Sequence, residues 1–99
     1  MESIKILEII REKNEEISER FKARIVGIFG SYAKGVQRPD SDLDVLYTSL
    51  DKNSFSFSDL FGLEDYLLEL TQVPRVDLVD CEHINPVIEL DIQTDIRYV

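Results

Sequence analysis

Two aspartates that flank a leucine, Asp42 and Asp44, constrain this chain more than any other feature of its sequence. In a β-strand, side chains two positions apart point to the same face, so both carboxylates point to one spot. Leu43 and Val45 then point to the opposite face, where a core would lie. Two carboxylates this close repel each other and raise the pKa of at least one of them, unless a cation lies between them. The spacing therefore predicts a cation site on a strand that packs against a core.

A glycine-serine pair, Gly30-Ser31, precedes these aspartates and ends a short apolar run at residues 25–29. Glycine lets a phosphate approach the backbone, and the free N–H groups at the start of a helix attract anions. Mg²⁺ takes carboxylate oxygens and completes its shell with water and phosphate oxygens. The pair and the two aspartates together predict a site for a metal-bound phosphate compound.

Two better-known motifs are excluded by the residues at their key positions. Gly30 and Gly35 have the spacing of a P-loop, but Val36 stands where its lysine should be, which excludes a Walker-type ATPase. Asp40, Asp42 and Asp44 have the spacing of the first half of an EF-hand calcium loop. However, Val45 occupies the glycine position, and Asp51 replaces the closing glutamate. A set of solvated turn charges is the remaining simple alternative, and it is disfavoured because aspartate is rare within core strands.

A third aspartate, Asp77, lies in a short alternating stretch with Val76 and Leu78 on the other face. If this strand lies beside the strand of the first two aspartates, three carboxylates meet at one place. Such a set can hold two metal ions, which clamp the attacking and leaving oxygens in phosphoryl or nucleotidyl transfer. The alternatives for Asp77 are an edge position in water or an ion pair with Arg75.

The remaining elements follow from the spacing of apolar residues and from turn residues. Residues 48–58 are expected to form a loop in which Phe55 and Phe57 either fold back onto the core or belong to a partner surface. The fold class is α/β, a small mixed sheet of three to four strands with helices packed mainly on one face. The predicted helices are 3–21, 31–34, 59–70 and a short one from Pro86, and the predicted strands are 24–29, 43–47, 75–79 and 96–99.

Composition limits the partners and the compartment. The chain has 99 residues and a formal net charge of −9, which argues against binding duplex nucleic acid and suits a basic protein partner. Cys81 is the single cysteine, so no internal disulfide forms. No apolar run approaches the roughly 20 residues of a transmembrane helix. The protein is expected to be cytoplasmic and not to associate with a membrane. A homo- or hetero-oligomeric state is left open.

The glycine-serine pair and the three aspartates, in this order and spacing, resemble the motifs of the DNA polymerase beta-like nucleotidyltransferase superfamily. The resemblance covers essentially the whole chain and looks closest to the minimal nucleotidyltransferases of prokaryotes, the antitoxin partners of HEPN-domain toxins. One departure from the family pattern is Lys34, at a position where arginine is commoner. Lysine keeps a cation near the phosphates but loses the bidentate geometry of arginine. The motifs that support the resemblance are Gly30-Ser31, Ala33-Lys34-Gly35, Arg38-Pro39-Asp40-Ser41, Asp42-Leu43-Asp44 and Asp77.

The resemblance implies a single minimal nucleotidyltransferase domain over residues 1–99, two Mg²⁺ ions, and ATP as substrate. It implies transfer of AMP to a hydroxyl, a tyrosine, of a HEPN toxin encoded by a neighbouring gene. Asp42 and Asp44 would hold Mg²⁺ and through it the triphosphate. Asp77 would bind the catalytic metal and help deprotonate the attacking hydroxyl. The phosphate contacts would come from Gly30, Ser31, Lys34 and Arg38.

Two other functions stay open at this point. One is a non-catalytic antitoxin that neutralises its partner by covering it, for which the acidic charge suits a basic toxin. The other is nucleotidyl transfer to a small molecule. Substitution of the two aspartates separates the first of these from an enzyme, because a protein that acts only by binding would keep its protective effect.

Overall fold

The computed structural model describes residues 2–99, and its elements alternate between helices and strands. The mixed α/β architecture that the sequence predicts is confirmed, and the short helix at residues 31–34 is present with one additional residue at its start. In chain order the elements are α1 (Ser3–Phe21), β1 (Ala23–Phe29), α2 (Gly30–Lys34), β2 (Asp42–Ser49), α3 (Phe57–Thr71), β3 (Arg75–Asp80), α4 (Pro86–Asp95) and β4 (Arg97–Tyr98).

The four strands form one mixed sheet in the order β3-β2-β1-β4. β1 runs antiparallel to both β2 and β4, whereas β2 and β3 are parallel. A parallel neighbour needs a crossover connection, which here is made by α3 between β2 and β3. The sheet therefore brings the strand of the third aspartate next to the strand of the first two.

The two faces of the sheet are covered unequally. The long helices α1 and α3 pack on one face and form the larger apolar cluster, whereas α4 packs on the other face over a small cluster around Phe29, Leu46 and Ile92. Helices are thus packed mainly on one face, as predicted. Within residues 2–99, no helix is long and apolar enough to cross a membrane. The fully buried side chains of the larger cluster include Ile6, Ile10, Ile17, Ile25, Ile28, Leu43, Val45, Leu63 and Leu67.

A β-bulge in β1 determines how the chain enters the site. The register with β2 shifts by one residue between Ile25 and Gly27. An extra residue reverses the alternation of faces, so Ile28 joins the larger cluster and Phe29 faces α4. Gly27 is required because a Cβ there would lie 2.5 Å from the backbone oxygen of Arg97 in β4. The bulge thereby orients the turn that follows Phe29.

A buried asparagine joins α1 to this bulged strand. The Asn14 side chain is 5% exposed, and its Nδ2 donates to the backbone oxygen of Ile25 at 3.0 Å. The backbone N–H of Ile25 donates in turn to Asn14 Oδ1 at 2.9 Å. One amide therefore satisfies both backbone groups of a strand residue, as a neighbouring strand would.

Replacing Asn14 by leucine is expected to lower the free energy of unfolding by about 2–4 kcal/mol. The substitution leaves the N–H and the C=O of Ile25 buried without partners, and each such group costs about 1–3 kcal/mol. Urea unfolding followed by circular dichroism measures the change. Glu15→Ala, at an exposed neighbouring position of α1, serves as the control and should stay within about 0.5 kcal/mol of wild type. An Asn14→Leu protein as stable as the control would contradict the bridging role.

The loop before α3 differs from the prediction. Phe55 does pack on the larger cluster, against Tyr47, but Phe57 is 77% exposed, so the core placement is wrong for Phe57. The helix begins two residues earlier than predicted because Ser56 and Asp59 form a reciprocal capping box. Phe57 is thereby the first helical residue, and its ring stacks on Phe61 one turn later.

Candidate active site

Parallel pairing of β2 with β3 places four charged side chains on one face of the sheet. Asp42 pairs with Arg75, and Asp44 pairs with Asp77. The residues between them, such as Leu43, point to the opposite face and into the larger cluster. Asp77 therefore faces the same side as the first two aspartates. The local charge on this face is three carboxylates and one guanidinium.

The glycine-serine turn lies directly against one of these carboxylates. Asp44 pairs with Phe29 in the sheet, and Phe29 immediately precedes Gly30, the first residue of α2. Gly30 adopts φ of +75°, and a Cβ at this position would lie 2.1 Å from Asp44 Oδ2. Ser31 follows in the first turn of α2 and is half-buried. The structure thus places Gly30 directly against Asp44, with Ser31 as the next residue of α2.

Burial and like charges perturb Asp44. Burial in the sheet, followed by the negative charges of Asp77, Asp42 and Asp91, raises the pKa of Asp44 from 3.8 to about 6. Asp91 belongs to α4 and was not among the residues predicted from sequence. Its contribution depends on α4 packing over this face of the sheet, and no sequence pattern places it there.

Asp42 has a different environment because Arg75 neutralises it. Arg75 Nε donates to Asp42 Oδ1 at 2.6 Å, and Arg75 Nη2 donates to the backbone oxygen of Asp40 at 3.4 Å. The hydrogen bond to Asp42, together with its charge, raises the pKa of Arg75. The sequence offers an ion pair between Arg75 and Asp77 as one alternative, whereas the structure pairs Arg75 with Asp42. The signal was present in the sequence, since residues 75 and 77 share a face.

The donor set matches a hard divalent ion in chemistry, although its side chains are not gathered around one point. Within residues 2–99, no three acidic, histidine or cysteine side chains are close enough together to hold an ion as they stand. The Asp42 carboxylate is instead in an ion pair with Arg75. The oxygen donors of Asp42, Asp44 and Asp77 are the kind that Mg²⁺ takes. A cation between Asp44 and Asp77 would also offset the repulsion that raises the pKa of Asp44.

The two basic residues predicted to contact phosphate lie on segments beside the turn. Lys34, at the end of α2, places Nζ 3.2 Å from Asp95 Oδ2 of α4. Arg38 is exposed in the loop that leads into β2, and its backbone N–H donates to Ser41 Oγ at 2.8 Å. Lys34 is therefore directed to α4 by an ion pair, and Arg38 is positioned by its loop.

Replacing Asp44 by asparagine is expected to stabilise the protein in metal-free buffer at neutral pH. A pKa raised in the folded state means that the fold favours the protonated acid, so stability is highest below the unfolded pKa of 3.8 and is lost as pH rises through about 6. Because the side chain is only partly buried, solvent screening reduces this loss to about 1 kcal/mol. Urea unfolding with a chelator should show the variant more stable at pH 7.5 and nearly equal to wild type at pH 4.

Asp65→Asn, at an exposed position of α3, is the matched control for this comparison. It removes the same charge away from the site and should show no difference that depends on pH. Equal effects of Asp44→Asn and Asp65→Asn would show that Asp44 is not under local repulsion.

Comparison with known proteins supplies the family. Residues 5–99 match the family model described as the nucleotidyltransferase domain. The chain belongs to the nucleotidyltransferase family. This nucleotidyltransferase is 36% identical over 95 residues to a Methanocaldococcus jannaschii protein, MJ0126, that is provisionally named a protein adenylyltransferase, and the match covers 95% of this chain and 94% of that one. It is 35% identical over 92 residues to the protein adenylyltransferase MntA of Thermococcus cleftensis, covering 92% and 89% of the two chains.

Solved structures agree with this assignment. A protein provisionally described as a minimal nucleotidyltransferase superposes with a TM-score of 0.70 at 29% identity, covering 100% of this chain and 97% of that one. The MNT antitoxin complex with a tri-AMPylated HEPN toxin from Shewanella oneidensis superposes with a TM-score of 0.60 at 19% identity, covering 93% and 70%, which shows a shared fold. The nucleotidyltransferase thus has the fold of the minimal members of its family.

Proposed function

We propose that this nucleotidyltransferase moves AMP from ATP to a tyrosine hydroxyl of a HEPN-domain toxin and thereby acts as an antitoxin. ATP would be bound together with two Mg²⁺ ions. The observation that supports this proposal most directly is the Asp44–Asp77 pair in the parallel register, with Gly30 lying against Asp44. Carboxylates from two strands beside a helix start are what a metal-bound triphosphate requires.

Each aspartate has its own role in the proposed reaction. Asp42 and Asp44 would hold Mg²⁺ and through it the triphosphate, and Asp77 would complete the site of the catalytic ion. The metal supplies charge neutralisation and alignment of the attacking and leaving oxygens. Asp77 would accept the proton of the tyrosine hydroxyl while the hydroxyl oxygen forms a bond to the α-phosphorus of ATP. The bond from that phosphorus to the bridging oxygen breaks, and pyrophosphate leaves.

The residues around the first turn would bind the leaving phosphates. The left-handed φ of Gly30 and its lack of a Cβ leave the backbone open at the start of α2. The Ser31 hydroxyl and the free N–H groups of this turn would contact the β- and γ-phosphates. Lys34 would exchange Asp95 for a phosphate oxygen, and Arg38 would assist from its exposed loop.

The proposed partner follows from the relatives. MntA of Thermococcus cleftensis is named a protein adenylyltransferase, and the Shewanella oneidensis fold relative is an MNT antitoxin in complex with a tri-AMPylated HEPN toxin. A further fold relative is a toxin-antitoxin structure with AMP-PNP, an ATP analogue, at 23% identity. The formal net charge of −9 favours association with a basic protein surface. These points support a HEPN toxin as acceptor and ATP as donor.

The test uses the product of a neighbouring gene as the acceptor. The protein is incubated with Mg²⁺ and with ATP labelled on either the α- or the γ-phosphate. Label from the α-phosphate should appear on the partner, label from the γ-phosphate should not, and a chelator should abolish transfer. Transfer of the γ-label would indicate a kinase, and absence of any transfer would reject the proposed function.

A further inference from the structure

Arg75 is a cation on the same face of the sheet as the three carboxylates of the proposed metal site. It lies opposite Asp42 in the β2/β3 register and shares its strand face with Asp77. We propose that Arg75 is a displaceable counterion that competes with the divalent metal for Asp42. This inference rests on the metal-binding part of the proposed function and extends it to a residue with no assigned role.

The geometry of the pair explains the competition. Arg75 Nε donates a hydrogen bond to Asp42 Oδ1 at 2.6 Å, so a lone pair that a metal would use is already occupied. If the ion instead takes the second oxygen of Asp42, two cations share one carboxylate and repel each other. In both cases Arg75 lowers the affinity for a free divalent ion.

Exposure of the pair explains why the arginine can leave. The Arg75 side chain is 71% exposed and the Asp42 side chain 45% exposed. Ion pairs in solvent contribute little to stability, so opening this one needs no unfolding of the sheet. A buried pair would hold Asp42 much more firmly. The arrangement neutralises one of the three carboxylates and still permits the metal to enter.

The opposite role for Arg75 makes an opposite prediction. A residue that only oriented Asp42 for the metal would raise the affinity, as outer-shell partners of metal ligands do. Removing Arg75 would then weaken metal binding. The two roles therefore predict opposite changes in the dissociation constant for a free divalent ion when Arg75 is removed. A counterion role predicts a decrease, and an orienting role predicts an increase.

The experiment measures Mn²⁺ binding to the metal-free full chain, without nucleotide, by calorimetry or by electron paramagnetic resonance. Arg75→Gln is expected to bind Mn²⁺ about two- to fivefold more tightly than wild type, the range set by an exposed ion pair. Arg75→Met keeps the apolar stem and should behave in the same way. Arg11→Gln, on α1, changes the net charge by the same amount and should leave the affinity unchanged. Unchanged or weaker binding by both Arg75 variants, or equal tightening by Arg11→Gln, would overturn the inference.

The readout separates this inference from the proposed function. AMP transfer by the wild type, with Mn²⁺ affinity that does not respond to Arg75, would reject the counterion and leave the proposed function standing. Tighter Mn²⁺ binding by the Arg75 variants, without AMP transfer to any partner, would support the counterion and reject the transferase. A wild-type protein that binds no Mn²⁺ would overturn the inference, and the transfer assay would then decide the proposed function by itself.

Discussion

Replacing Asp42 and Asp44 together by asparagine is expected to lower AMP transfer by roughly a thousandfold or more while the protein stays folded. Two negative charges that would hold the metal and the triphosphate are removed, and single electrostatic contacts of this kind are worth about a hundred- to a thousandfold. The fold should tolerate the change because it removes repulsion around Asp44. Initial rates of label transfer to the partner, measured beside thermal unfolding, test both statements.

A matched control keeps this result specific. Asp65→Asn with Glu69→Gln removes the same number of charges from the exposed surface of α3 and should leave the rate within about twofold of wild type. Growth of cells that express the toxin then distinguishes two antitoxin mechanisms. An enzymatic antitoxin loses protection with the Asp42 and Asp44 substitutions. Full protection by the folded double variant would indicate an antitoxin that acts by binding.

Gly30→Ala is expected to have the second largest effect, a loss of about 2–4 kcal/mol in stability and at least about a hundredfold in AMP transfer. The φ of +75° costs an alanine about 1 kcal/mol. The added methyl would also lie 2.1 Å from Asp44 Oδ2, so the carboxylate must move, at a further cost of about 1–3 kcal/mol. A displaced Asp44 no longer faces Asp77, which accounts for the expected loss of activity.

Gly35→Ala is a close control because it isolates backbone strain. Gly35 also has φ of +75°, but a Cβ there has no heavy atom within 4 Å. This variant should lose about 1 kcal/mol and keep AMP transfer within about threefold of wild type. Urea unfolding and the label-transfer assay on both glycine variants measure the difference. Equal losses at Gly30 and Gly35 would mean that contact with Asp44 has no importance.

Local backbone geometry allowed the sequence to predict which side chains share a strand face. Alternation along a strand is a property of two or three consecutive residues, so the shared face of Asp42 and Asp44 followed from their spacing. The short helix at residues 31–34 was likewise predicted from neighbouring residues, whereas the positive φ of Gly30 was not predicted. The start of α3 was missed because the reciprocal Ser56–Asp59 cap was not recognised, and Phe57 was misplaced with it.

Sequence alone thus determined which side chains share a face of each strand, and it predicted the α/β fold and the nucleotidyltransferase family. Tertiary structure decided which strands are neighbours and in which register, and so set Asp77 opposite Asp44. It also paired Arg75 with Asp42 instead of Asp77, and it brought Asp91 of α4 near Asp44. The physical reason is that side-chain alternation is fixed within a few residues of chain, whereas pairing and charge environment depend on segments brought together by the burial of the two apolar clusters.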